Sequence, residues 1–382
     1  MKEGWTYRQL GDVCEILDSK RKPITKGKRE PGSIPYYGAT GCLDYVKDYI
    51  FDEKLVLLGE DGAKWGPGES SAYIINGKSW VNNHAHALRP KREIILDEIL
   101  VYYLNYSNLQ TFITGVTVPK LNQEKMRSIE VPIAPISEQE RIVERLDAAF
   151  AQIGELKSNA EKQLAEARAL FQSALIQAMQ PKPGWQEKKL VNVCDIFGRI
   201  GFRGYTTKDL VSSQNDGAIS LSPSNIQNGE MDYSKRTYIS WFKYNESPEI
   251  KIFNGDILLV KTGSSYGKSA LVKDLPHEAT INPQSVVLKN FRINNEFFAY
   301  QLRTERVKKE FDQFVSGTAI PTFSQAKLGT VPIYFPGEIE QEQIVSYLNS
   351  LNNHVKELEE TSRKTAAECD ELKQALLRQI FE

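Results

Sequence analysis

The chain has 382 residues, 41% of them hydrophobic and 25% charged, enough for two or more domains that each bury a core. Its formal net charge of -1 argues against nucleic acid as a partner, but the balance conceals a segregation along the chain. No stretch approaches the ~18 apolar residues of a membrane span; the start lacks an apolar leader, and Cys14, Cys42, Cys194 and Cys369 form no C-x-x-C pair. A soluble chain in a reducing cytoplasm, with neither zinc ribbon nor disulfide framework, is therefore expected.

The first segment, residues 1–137, opens on Gly4-Trp5, Leu10, Val13-Cys14 and Ile16. The same residues return as Gly184-Trp185, Leu190, Val193-Cys194 and Ile196, at an offset of 180. Short β-branched and aromatic runs punctuated by Gly, Pro, Asn and Ser follow, with strands predicted over Lys54 to Leu58, Ser71 to Ile75 and His84 to Leu88. A helical stretch, Leu96 to Tyr106, leads into the turn Gly115-Val116-Thr117-Val118-Pro119.

Residues 138–180 read as one long helix. Ile142, Leu146, Ala149, Ile153, Leu156, Ala160, Gln163, Ala167, Leu170, Ala174 and Gln177 keep the 4-3 spacing of a coiled-coil seam. Pro135, Ser137 as N-cap and Glu140 form a capping-box arrangement, and Pro181-Lys182-Pro183-Gly184 ends the helix.

The second segment, residues 181–337, repeats the order: strands over Ile257 to Val260, Ser269 to Val272 and Ser285 to Leu288, a helical stretch Asn295 to Phe311, and the turn Gly317-Thr318-Ala319-Ile320-Pro321. Residues 338–382 form a second long helix with seam positions Ile344, Leu348, Leu351, Val355, Leu358, Ser362, Thr365, Cys369, Leu372, Leu376 and Gln379. Its opening Glu340-Gln341-Glu342-Gln343-Ile344-Val345 answers Glu138-Gln139-Glu140-Arg141-Ile142-Val143 at an offset of 202, so the second half carries 22 more residues. Two narrow stripes of equal length most simply bury each other; each helix packing on its own domain is the alternative.

The expected fold is α+β: two similar domains, each a mixed or antiparallel twisted sheet plus helices, separated by two long helices in an antiparallel coiled coil with pseudo-two-fold symmetry. Charge follows the same division. The two globular segments hold 18 Lys+Arg against 17 Asp+Glu and 20 against 15; the helical ones hold 5 against 7 and 5 against 10.

Basic and aromatic residues gather in corresponding turns. Lys20-Arg21-Lys22 precede Tyr36, Tyr37 and Thr40, while Arg199, Arg203 and Tyr205 precede Ser222, Ser224 and Asn225. Lys and Arg there can neutralise phosphates, and polar side chains can read base edges, although for any single residue a solvated loop explains it equally well. Lys261-Thr262-Gly263-Ser264-Ser265-Tyr266-Gly267-Lys268-Ser269 resembles a phosphate-binding loop but is one residue short of the G-x-x-x-x-G-K-[ST] spacing, and strand follows it where a helix should. Its counterpart, with Lys64 and Trp65, keeps two glycines and changes nearly everything between, as a recognition loop would. Asn282-Pro283-Gln284-Ser285 lacks the second Pro and the aromatic of an adenine-methyltransferase loop; at the aligned place stand Asn83, His84 and His86. The two histidines alternate on a strand, yet no third ligand is spaced to join them, so no metal is expected. No catalytic constellation can be assembled in both halves.

Taken together, the repeated Gly-Trp-x(4)-Leu-x(2)-Val head, the Thr-Gly-Ser-x-Tyr-Gly-Lys loop, Gly-x-x-x-Pro-x-x-x-Gln before each helix and Glu-Gln-Glu-x-Ile-Val at each helix start resemble the specificity subunit of type I restriction-modification systems. The resemblance covers essentially the whole chain. It implies two target recognition domains (residues 1–137 and 181–337), a spacer helix after each, and a non-catalytic subunit that binds a bipartite double-stranded DNA site. It further implies two modification subunits that methylate adenine N6 with S-adenosylmethionine, and restriction subunits using ATP and magnesium, with no cofactor on this chain. From another class, an interaction scaffold whose helices recruit a partner and whose domains bind protein or glycan remains open. Salt-sensitive DNA binding that needs a methyltransferase partner separates the two.

Overall fold

The computed structural model describes residues 3–115, 117–315 and 320–382. The Gly-x-x-x-Pro turns therefore fall partly outside the described residues, at Val116 and at 317–319. Two compact units emerge: residues 1–162 with 360–382, and residues 163–359. The long helices Ile136–Ala178 and Glu338–Phe381 each contribute to both.

In the first unit, four antiparallel strands lie in the order Cys14–Ile16, Ala85–Pro90, Leu55–Gly59, Ala72–Ile75. A second sheet orders Gly41–Val46, Pro31–Gly38, Lys78–Val81, Phe51–Asp52, with one parallel contact between Pro31–Gly38 and Lys78–Val81. The run Leu55-Val56-Leu57-Leu58 shows no polar alternation because both of its faces are buried. Val56 and Leu58 enter a core with Trp5, Leu100 and Leu146, whereas Leu55 and Leu57 enter another with Phe51, Ile75 and Val81. Successive residues of a strand point to opposite faces, so one strand serves two cores.

The second unit repeats this device. Ile257 and Leu259 face a core containing Phe297 and Leu348, and Leu258 and Val260 face one containing Ile219 and Ile281. Its central sheet runs Asp195–Gly198, Ser285–Lys289, Ile257–Val260, Ser269–Leu271. The other sheet has five strands, with a parallel contact between Gly217–Leu221 and Ala279–Ile281. The predicted strands agree within about two residues, the ordinary scatter of element ends. The stretch Asn295 to Phe311 is two helices, Asn295–Leu302 and Glu305–Phe314, because Thr304 caps a second start.

The repeated motifs meet in space. Thr6–Gln9 pairs antiparallel with Glu130–Ile133, and Gln186–Lys189 with Pro332–Phe335. Beside each pair the tryptophan of the head motif donates to the first glutamate of the helix motif: Trp5 Nε1 to Glu138 Oε1 at 3.1 Å, and Trp185 Nε1 to Glu340 Oε1 at 3.3 Å. The next residue plugs the joint. Gln139, fully buried, accepts from Leu96 N at 2.9 Å and donates to Ile94 O and Ala134 O at 2.8 Å each. Gln341 accepts from Asn294 N and donates to Pro336 O. The expected capping box at Ser137 is absent, since the helix already starts at Ile136.

Within each unit the long helices pair with opposite polarity. In the first, Ile142 and Leu146 share a core with Leu377 and Phe381, and farther along Lys157 faces Asp370 at 3.4 Å. In the second, Arg168 pairs with Glu359 at 2.6 Å, while Phe171 and Leu175 share a core with Ile344 and Leu348. The helices also pack on the globular part of their unit, so both packing alternatives are realised. Ile142, Leu146, Ile153, Ile344 and Leu348 are buried; Leu351, Val355, Leu358 and Leu376 are half-buried. Leu156, Leu170 and Leu372 depart from the expected seam, at 56%, 63% and 49% exposure. The expected Ala160, Ala167, Ala174, Cys369 and Leu376 do lie on the inward stripe, which takes Phe171 in place of Leu170 and Lys373 in place of Leu372. The 4-3 alternation is kept, but in the first helix every second seam position falls one residue later than expected, at Phe150, Lys157, Leu164, Phe171 and Ala178.

Candidate nucleic-acid interface

One backbone frame carries the candidate loops in both units. In the first, Asn82 N donates to Tyr37 O, His84 N to Asn82 Oδ1, and Leu121 N to Glu60 O. In the second, Asn282 N donates to Leu221 O, Gln284 N to Asn282 Oδ1, and Phe323 N to Lys261 O. The frame therefore places Glu60 where Lys261 stands, and His84 where Gln284 stands.

In the second unit, Lys261–Lys268 turns between two antiparallel strands. Its amides are spent inside the protein: Lys261 and Thr262 N–H on Gln284 O, Gly263 N–H on Pro321 O, Tyr266 N–H on Gly263 O, and Gly267 N–H on Val260 O. These five N–H groups are therefore engaged within the protein and are not offered to a phosphate. Thr262 is tied to Thr322 at 2.8 Å and Tyr266 OH to Asp312 at 2.8 Å, whereas Ser264 and Lys268 are exposed. The loop forms one wall of a cleft of about 770 Å³. Lys308 and Arg303 from the helical segment, and Gln227 and Asn228, also line it. No carboxylate lines this cleft, and neither Lys268 nor Lys308 has an ion-pair partner among the described residues.

The first unit solves the same frame with internal charge. Glu60 is paired with Arg21 at 2.6 Å and Lys120 at 2.7 Å; Arg21 also reaches Asp18 at 3.2 Å, and His84 pairs with Asp61. Buried His86 sets Nδ1 against Asp18 at 2.6 Å and Nε2 against Leu121 O at 2.8 Å. Burial alone would raise the Asp18 carboxyl, but the His86 hydrogen bond and charge, the Ala87 amide and Arg21 outweigh it and hold the group below its ordinary value. Burial likewise opposes, and Lys120, Arg21 and His86 overcome it, for Glu60. Asp18, Glu60 and His86 have the donor types of a metal site. The Arg21 guanidinium already supplies the cation between the two carboxylates, so the group is a closed ion network. His86 thus finds two carboxylates and not His84.

Four residues assigned to DNA contact on sequence have structural employment instead. Tyr36 is buried and accepts from Ile24 N at 3.0 Å; Trp65 is buried and donates to Gly59 O at 3.0 Å. Arg199 is buried on Ile281 O and Thr280 Oγ1, where desolvation pushes its pKa down. Asn225 is buried and holds its own turn through Asp232 O and Lys235 O. Arg21 belongs to the ion network above. Lys20, Lys22, Thr40, Lys64, Asn83, His84 and Ser224 are exposed; Tyr37, Arg203, Tyr205, Ser222, Lys261, Thr262 and Tyr266 are half-buried. Gln227, Asn228, Arg303 and Lys308 were not among the sequence candidates: Arg303 lies in the turn between two helices and Lys308 on the second of them, while Gln227 and Asn228 fall where no strand was expected.

Residues 2–166 and 183–368 both match the family described as the type I restriction modification DNA specificity domain. The chain belongs to that family. It is similar to the type I restriction enzyme MjaVIII specificity subunit of Methanocaldococcus jannaschii, 22% identical over 99% of this chain and 92% of that one. It resembles the EcoKI specificity subunit of Escherichia coli at 20% over 99% of this chain and 85% of that one. A putative specificity subunit of Haemophilus influenzae is 37% identical over 38% of this chain, and the match spans 37% of that relative's length. The fold matches a chain from a type I restriction-modification system studied for its assembly and conformational transition, with TM-score 0.73, 19% identity and coverage of 100% and 98%. The HsdS subunit of Thermoanaerobacter tengcongensis matches with TM-score 0.56, 18% identity and coverage of 100% and 97%. Among the described residues no helix is long and apolar enough to cross a membrane. For a DNA specificity domain, a fixed frame with interchangeable side chains is the economical design, because the strand ends hold position while the loop chemistry varies.

Proposed function

We propose that this specificity-family chain reads a bipartite double-stranded DNA target, one half-site per domain, and docks two modification subunits that methylate adenine. S-adenosylmethionine belongs to those partners, as do ATP and magnesium to any restriction subunits. The observation that carries the reading is the shared frame: the same three backbone-anchoring hydrogen bonds in each unit, with Glu60, Asp61 and His84 on one frame and Lys261, Thr262 and Gln284 on the other. The first loop holds its charge in internal ion pairs, whereas the second offers a lysine and an amide; lysines neutralise phosphates and amides pair with adenine, so the two loops suit different base sequences. The test is to exchange residues 1–137 for the matching block of a relative and sequence the methylated motif of the assembled enzyme. One half of the motif should change while the other stays; simultaneous change of both halves, or of neither, refutes independent reading.

A further inference from the structure

The two domains differ most in one place. On the shared frame, seven residues (38–44) separate Tyr37 from Tyr45, and sixteen (222–237) separate the counterparts Leu221 and Tyr238. The added chain folds as a hairpin, Ile226–Gln227 against Glu230–Met231, through a turn in which Asn228 and Gly229 both have positive φ, +52° and +80°. A two-stranded hairpin is marginal on its own. Here it is fastened from outside.

The fastening centres on Arg303. Its Nη2 donates to Asn228 O at 3.0 Å, and its guanidinium lies over the rings of Phe171 on the first long helix and Tyr300, at 5.5 and 5.6 Å. Gly229 is pressed so closely that a Cβ there would sit 2.3 Å from Arg303 Nε. On the other strand, Glu230 is held by Lys356 and Asn352 of the second long helix, each at 2.7 Å. Among the described residues no carboxylate lies within ion-pair distance of Arg303; burial pushes its pKa down and the nearby Tyr300 and Glu230 oppose that, so the aromatic faces, one carbonyl and the Glu230 charge hold this cation. Arg303 also lines the cleft that Gln227 and Asn228 line.

We infer that Arg303 is a positioning residue for half-site reading by the second domain: it braces the added hairpin against the long helices, so that Gln227 and Asn228 face the bases from a fixed wall. This rests on the DNA-reading function proposed above. A lysine could reach Asn228 O but offers no plane to stack between two rings.

The test uses the full chain assembled with its modification subunits. Methylation rates are measured on duplexes carrying the motif of the unaltered enzyme and on single-base variants of each half. Arg303→Met should cut discrimination in one half-site by about tenfold, the scale of one misread base pair, and leave discrimination in the other half unchanged. The altered half should be the one that stays constant when residues 1–137 are exchanged. Arg303→Lys, which keeps the charge, covers the case in which the methionine variant does not assemble, and should relax the same half to a smaller degree. Wild-type discrimination in both halves for the assembled variants overturns the inference, as does an equal loss of rate on every duplex, the mark of a merely structural residue. If the domain exchange leaves the motif untouched, the DNA-reading function itself fails, a separate outcome.

Discussion

Replacing Gln139 by methionine isolates the joint between domain and helix, because the side chains are close in volume and only the amide is lost. The substitution strands three backbone groups, the buried Ala134 C=O and the half-buried Leu96 N–H and Ile94 C=O. Each such loss costs about 1–3 kcal/mol, and burial of the thioether returns roughly 1 kcal/mol, leaving a net destabilisation of about 3 kcal/mol. For a unit of this size that corresponds to a fall in melting temperature of roughly 6–12 °C. Gln341→Met strands only Asn294 N–H and Pro336 C=O, so its cost should be about 2 kcal/mol. Scanning calorimetry of the full chain, with urea titration as a second measure, checks both magnitude and order. A shift for Gln139→Met under about 1 °C, or a larger effect at Gln341, refutes the assignment of these glutamines as the plugs of the two joints.

Lys261→Ala and Lys268→Ala should each lower the slope of log K against log salt by about 0.9, the share of one phosphate contact; an unchanged slope in DNA titrations assigns that lysine to solvent. Acid should weaken the first unit through Asp18 and Glu60. Their folded pKa values lie below the ordinary 3.8 and 4.5, so the stability they contribute is present above those values and is lost as pH falls below them. Asp18→Asn with Glu60→Gln should therefore flatten the dependence of stability on pH between about 5 and 3, and an equally steep curve would show that the network is not its source. Seven residues inserted after Glu161, matched by seven after Glu360, add roughly 10 Å of helix, which should lengthen the unread spacer of the methylated motif by up to about three base pairs. An active variant with the original spacer counts against helix length as its determinant.

Much of this architecture was legible because it is written twice. Offsets of 180 and 202 marked the motifs that prove to be the two sides of one joint, Trp5 with Glu138 and Trp185 with Glu340. The buried central strands declared themselves as unbroken apolar runs. What stayed hidden depends on long-range partners. Tyr36, Trp65, Arg199 and Asn225 have the composition of contact residues, and only the fold reveals that their polar atoms are already engaged within it. Leu156, Leu170 and Leu372 fit the expected 4-3 spacing, but the neighbouring Lys157, Phe171 and Lys373 take the inward positions, a choice of register that the apolar pattern alone does not settle. Asn228-Gly229 is a strong hairpin dipeptide, but its flanks, Ile226-Gln227 and Glu230-Met231, are too short to show alternation.

The strand pair at the base of each domain bears on how freely a domain can change size. Between the paired strands, 120 residues (10–129) are tied off in the first domain and 142 (190–331) in the second. The entropy of closing a chain grows only with the logarithm of its length, so the longer loop costs about 0.15 kcal/mol more to close. Against a total stability of several kcal/mol that difference vanishes. Residues added inside the tie are therefore judged almost entirely by what they touch, and the hairpin held by Arg303 is what such an addition looks like once it has found its contacts.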